Sequence, residues 1–154
     1  MKPIALALLL AGFALPAGDP AGVYFWKSAE LKGFSTSLPS KMNAQKLASQ
    51  NLGSHGNFAL SVSHREASGE AEYHALQADI FFVQTGEATL IVGGELENGK
   101  TTAPNEMRAP SAKGGTEKKL AAGDVVTIPA KVVHQLELDA GKEFTYFVVK
   151  VTQP

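Results

Sequence analysis

At 154 residues, with 14 basic and 15 acidic side chains and a formal charge of −1, the chain is long enough for one domain with a sizeable core. It has no basic stripe or arginine cluster that could neutralise phosphates, which argues against a nucleic-acid partner. It has no cysteine, so disulfides, thiolate metal sites and a lipoprotein anchor are excluded, and any metal site must use nitrogen and oxygen ligands.

Residues 1–17 have the layout of a secretory signal peptide. Lys2 supplies a positive charge, Ile4 to Leu15 is an almost unbroken apolar run, Pro16 breaks a helix, and Ala14 or Ala17 offers a small residue for cleavage. The run is too short for a comfortable membrane span. The expectation is a periplasmic or secreted protein with no membrane association once the segment is removed.

An extension over residues 18–57 follows. Val23-Tyr24-Phe25-Trp26 reads as a first strand. Ser40 to Leu52 reads as the one good helix, capped by Ser40, with Ala44, Leu47, Ala48 and Leu52 at helical spacing and Gly53 to end it. From residue 58 the pattern is β. Phe58 to His64 alternates strictly, placing Phe58, Leu60, Val62 and His64 on one apolar face. Ala67-Ser68-Gly69 is a turn. Short strands follow at Ala71 to His74, Ile80 to Gln84, Ala88 to Val92, Val125 to Ile128, Val132 to Leu138 and Phe144 to Val151. Asn98-Gly99 marks a tight turn. Thr102 to Gly115, rich in Pro, Gly, Ser and Lys, reads as a long exposed insertion. So many short strands with regular turns predict an all-β sandwich or barrel over 58–154.

Two stretches carry chemistry. In Glu72-Tyr73-His74 the acid and the imidazole are two apart on a strand and share a face; Asp79 and Gly86 follow. In the second stretch, Gly123-Asp124 opens a turn, Pro129 ends a strand, and His134 sits on the apolar face of Val132, Leu136 and Leu138.

These stretches resemble the two motifs of the cupin superfamily. In the first, Gly69 precedes the pair, Glu72 stands where a histidine is usual, His74 matches the second histidine, Asp79 replaces a glutamate, and Gly86 matches the closing glycine. In the second, Gly123, Pro129 and His134 match at the expected spacing, with Lys131 in place of a glycine. The resemblance implies a cupin jelly roll of six to ten strands behind a helix-containing N-terminal extension. It also implies a homodimer, in which Val23 to Trp26 could add to the partner's sheet.

It further implies one divalent metal held by Glu72, His74, Asp79 and His134. Physics points the same way, because buried carboxylates and imidazoles are costly unless paired or coordinated. Two histidines with one or two carboxylates suit Fe(II), Mn(II), Ni(II) or Zn(II). Each residue also has a plainer role available: His134 as a core histidine, Glu72 as a solvated strand residue, Asp79 as a turn former. If the Ala67-Ser68-Gly69 turn joins antiparallel strands, His64 falls opposite Glu72, where it could be a further ligand, a hydrogen-bond donor to Glu72, or a catalytic general base. Two functions follow as expectations. One is a metalloenzyme acting on a small polar organic molecule, as an isomerase or lyase using Lewis-acid chemistry or as an Fe-dependent dioxygenase. The other is a non-catalytic barrel that binds a small ligand or a metal.

Overall fold

The computed structural model describes residues 21–153; the expected signal peptide, 1–17, lies outside the described residues. The domain is all-β with one N-terminal helix. Helix α1 (Ser28–Ser37) is followed by a single 3₁₀ turn (Pro39–Lys41) and twelve strands. These are β1 (Leu47–His55), β2 (Phe58–Arg65), β3 (Ala71–His74), β4 (Gln77–Val92), β5 (Glu95–Glu97), β6 (Lys100–Ala103), β7 (Glu106–Ala109), β8 (Ser111–Lys113), β9 (Thr116–Ala121), β10 (Val125–Ile128), β11 (His134–Glu137) and β12 (Phe144–Thr152).

Ten strands form one antiparallel sheet whose main path runs β1-β2-β12-β4-β11-β3-β7-β6, with β9 and β10 also on β4; β5 and β8 pair separately. Strand β4 makes the sheet curl. Its first half pairs with β12 and β10, its second half with β9 and β11. One 16-residue strand therefore belongs to both walls. The change of wall falls at Gly86, at φ 81°. A Cβ there would collide with the carbonyl oxygen of Glu143, so the position requires glycine on two counts. The path ends at β1 and β6 without joining. The result is a curled, open sheet of cupin jelly-roll type, and the expectation of a closed barrel is corrected accordingly.

Two apolar cores result. Inside the curl lie Phe81, Val83, Leu90, Leu136, Phe144, Tyr146 and Val148. On the outer face of β1 and β2, Ala48, Leu52 and Val62 pack with Leu38 under α1, joined by Trp26, Leu31 and Phe34. Leu38 is 1 % exposed, which is about 2 kcal/mol of transfer free energy for one side chain.

Three sequence expectations are corrected. Val23 to Trp26 is not a strand: it has no ladder partner, and Trp26 instead packs against Phe34 at a centroid distance of 6.3 Å. Ser40 to Leu52 is not a helix. Asn43 Oδ1 accepts from the amides of Gln45 and Leu47, Lys46 adopts φ 55°, and the chain leaves this turn as β1. Ala48 and Leu52 are four apart, a spacing that shares a face in a strand as well as in a helix, and both are buried. The real helix precedes them and carries Leu31 and Phe34, with Leu38 at its C-cap continuing the intervals of three and four. The segment from Thr102 to Gly115 is not a wholly exposed insertion, because it contains β7 and β8, buries Ala109, and pairs directly with β3 through β7.

Candidate metal centre

Strand β3 lies between β7 and β11. Glu72 faces Arg108 on one side and His134 on the other, and His74 faces Glu106. On the opposite wall, Asp79 of β4 is the cross-strand neighbour of Lys150 on β12. These registers bring Glu72, His74, Asp79 and His134 together inside the curl, with one ligand atom from each lying within 4.8 Å of the others. His74 Nε2 is 3.3 Å from Glu72 Oε2 and 3.5 Å from Asp79 Oδ2. His134 Nε2 is 3.6 Å from Asp79 Oδ2 and 3.8 Å from Glu72 Oε2. Donors that share one centre at about 2.1 Å lie roughly 3.0–3.4 Å apart, so a small contraction suffices.

Two further observations fit a metal. His134 Nε2 is buried with no hydrogen-bond partner among the described residues, while its Nδ1–H donates to the Val132 carbonyl at 3.1 Å. That fixes the tautomer with a free lone pair on Nε2, facing the carboxylates. His74 Nδ1 is 2.5 Å from Glu106 Oε2, the carboxylate–histidine arrangement that orients imidazole ligands.

Lys150 competes for this place. Its ammonium donates to Asp79 Oδ2 at 2.7 Å, to Asp79 Oδ1 at 2.8 Å and to His74 Nε2 at 3.0 Å. The last bond requires a neutral imidazole. The neighbouring charges pull the other way. Burial lowers the His74 pKa, but Asp79 and Glu72 outweigh it and leave the imidazole at about 9. One imidazole cannot meet both demands, and a cation seated among the carboxylates favours the neutral form. Glu72 is raised by burial but drawn down to about 2 by His74, Arg108, His134 and Lys150. Burial likewise works to raise Asp79, but the nearby imidazoles of His134 and His74 and the Lys150 ammonium hold it well below the usual carboxylate range.

A cavity of about 270 Å³ opens beside the cluster, lined on its polar side by Ser49, Ser63, Arg65 and Arg108 and floored by Phe81, Leu136 and Val148. Arg65 Nε donates to the Tyr146 hydroxyl at 3.0 Å. Arg108 Nη1 is 2.9 Å from Glu72 Oε2, yet it is buried without a bond of hydrogen-bond geometry. The pairing is ionic and leaves a donor direction free. Gly69 makes room for the Arg65 guanidinium, since a Cβ there would sit 2.7 Å from its Nη1.

His64 is elsewhere. It pairs with Ala48 and Thr145, not with Glu72, and points to the outer face of β2 while Ser63 and Arg65 point into the cavity. The expected hairpin register fails because β3 pairs with β7 and β11 instead of β2. Arg65, Glu106, Arg108 and Lys150 escape sequence reasoning. The signal for Lys150 is present, as it continues the inward alternation of Phe144, Tyr146 and Val148. That for Arg108 lies in the Glu-Met-Arg-Ala alternation of a segment whose composition reads as loop. Lys131, at φ 67°, takes the left-handed conformation that suits the family's usual glycine, and its amide donates to the His74 carbonyl at 2.8 Å.

No family model and no curated protein sequence matches this chain. Solved structures do. TT1209 from Thermus thermophilus superposes with a TM-score of 0.53 at 16 % identity, over 77 % of this chain and 95 % of its own. The cupin domain of Schizosaccharomyces pombe Cnp3 gives 0.53 at 16 %, over 75 % and 67 %. The polyketide cyclase RemF from Streptomyces resistomycificus gives 0.50 at 15 %, over 71 % and 68 %. The fold is therefore cupin-like, with a buried His/Asp/Glu set able to coordinate a divalent ion. No helix among the described residues is long and apolar enough to cross a membrane.

Proposed function

We propose that this protein holds one divalent metal ion through His74, His134, Glu72 and Asp79 and acts on a small oxygen-rich anion in the adjoining cavity. The observation that carries the reading is the convergence of four ligand atoms within 4.8 Å around an unpartnered buried imidazole nitrogen. Such an ion would supply Lewis acidity toward substrate oxygens or, as Fe(II), dioxygen activation. The chain's own residues supply the rest. Arg65, Arg108 and Lys150 face the carboxylates of Glu70, Glu72, Glu106 and Asp79, one negative charge in excess. A divalent ion would leave the site net positive, which favours an anionic ligand such as a carboxylate. Arg108 has the free donor to orient it, and Phe81, Leu136 and Val148 exclude water.

Metal analysis of untagged protein tests this. We expect near-stoichiometric Fe, Mn, Ni or Zn at this centre, with one equivalent lost in His74→Ala and in His134→Ala; metal content unchanged in both variants refutes it. Screening of small acids and diketones then separates an enzyme from a binding barrel. Lys150 favours the second reading, a non-catalytic barrel, to the extent that its ammonium already answers Asp79.

The reading extends to an exported homodimer. Its support is the apolar run at 4–15 and the exposure of Val23, Tyr24 and Phe25, at 55, 52 and 75 %. Light scattering on protein recovered from a periplasmic extract should give twice the chain mass. Removal through Phe25, which spares Trp26, should halve it. Absence from the extract or an unchanged mass counts against the respective half of the reading.

A further inference from the structure

We infer a second divalent-metal site on the outer face of the sheet, built from His64, Glu66 and Glu143. Its ligand atoms also lie within 4.8 Å of one another, and none belongs to the first centre. His64 is wholly buried, at 0 % exposure. Its Nδ1 is 2.8 Å from Thr145 Oγ1, its direct cross-strand neighbour. Its Nε2 is buried with no hydrogen-bond partner among the described residues and lies 3.8 Å from Glu66 Oε1. When Nδ1–H donates to the threonine hydroxyl, Nε2 presents a bare lone pair on the side of Glu66. An imidazole whose second nitrogen is held by a neighbour is the arrangement found in metal ligands.

The surroundings suit an ion with open positions. Glu66 and Glu143 line a cavity of about 270 Å³ together with Gly141 and Lys142, so water can complete the coordination. Glu66 follows the end of β2 and Glu143 precedes β12, so an ion would tie two adjacent strand ends together. Two lysines lie near: Lys142 lines the same cavity without an ion pair to either carboxylate among the described residues, and Lys46 Nζ is 3.9 Å from Glu66 Oε2, too loose to replace direct ligation. One imidazole with two carboxylates is a borderline donor set that suits Zn(II) or Co(II) over Ca(II) or Mg(II).

Imidazole ¹⁵N spectra of the full chain during Zn(II) titration test the site. We expect the His64 Nε2 resonance to move on Zn(II) addition, and to move equally in His134→Ala, the variant expected to empty the first centre. In the Glu66→Gln, Glu143→Gln double variant it should stay unmoved until Zn(II) is raised more than about tenfold. Both positions reach solvent, so this variant should fold where His64→Ala could fail. A His64 signal indifferent to Zn(II) overturns the inference, as does one that moves identically in the double variant. Because His134→Ala separates the two centres, either can fail without the other.

Discussion

At the scale of single residues, the decisive feature is an ammonium in the place a metal would take. Lys150 bonds both oxygens of Asp79 and the Nε2 of His74. Breaking a buried ion pair by removing one partner typically costs about 3–5 kcal/mol, because the remaining charge is left uncompensated. A divalent ion would compensate it. Lys150→Met should therefore lower the melting temperature of chelator-treated protein, while metal restores it and binds at least about tenfold tighter than to wild type. Calorimetric titration of both proteins measures this. Equal affinity would show that the lysine does not compete for the centre.

At the scale of elements, β4 is the part on which the site depends. It presents Asp79 to one wall and turns at Gly86 into the other wall, where its partner β11 carries His134. Gly86→Ala would put a methyl group against the Glu143 carbonyl at a positive φ. The cost should be about 2 kcal/mol or more in urea unfolding. Metal affinity should fall with it, since Asp79 and His134 would no longer be held in register. A variant as stable as wild type would mean that the bend accommodates a side chain. Strand β7 has the matching role on the other side, bringing Glu106 to His74 and Arg108 to Glu72.

At the scale of the whole molecule, the cluster couples folding to pH. In metal-free protein, burial lowers His74 but Asp79 and Glu72 raise it from 6.5 to about 9, so the protonated imidazole gives up the Lys150 bond at Nε2 and keeps the carboxylates. Its contribution is complete below pH 6.5 and is lost as pH rises through 9. Glu72 is lowered from 4.5 to about 2. Its contribution is complete above pH 4.5 and is lost as pH falls through 2. Chelated protein should therefore be most stable between pH 4.5 and 6.5 and weaken on both sides. Since metal ligation needs the neutral imidazole, uptake at pH 7 should release a proton and tighten with rising pH. Urea denaturation across pH, with and without metal, checks both statements; a flat alkaline limb in the chelated protein would contradict the first.

Much of this was legible in the sequence, because period and turn chemistry are local. The alternation of Phe58 to His64, the positions of Glu72 and His74 on one strand face, and the two motif spacings around Gly86 and His134 set out an all-β fold and its candidate ligands. Between Ala44 and Leu52 the sequence was ambiguous, since a spacing of four serves helix and strand alike, and only packing beneath α1 decides for β1. Register is the other thing that local pattern cannot supply. Which strand lies beside β3 is settled by long-range pairing, and that pairing sends His64 to the outer face and brings Glu106, Arg108 and Lys150 inward. The sequence by itself determined which side chains share a face. The tertiary structure alone decided which faces meet, because the free energy of closing the sheet lies in contacts between residues far apart along the chain.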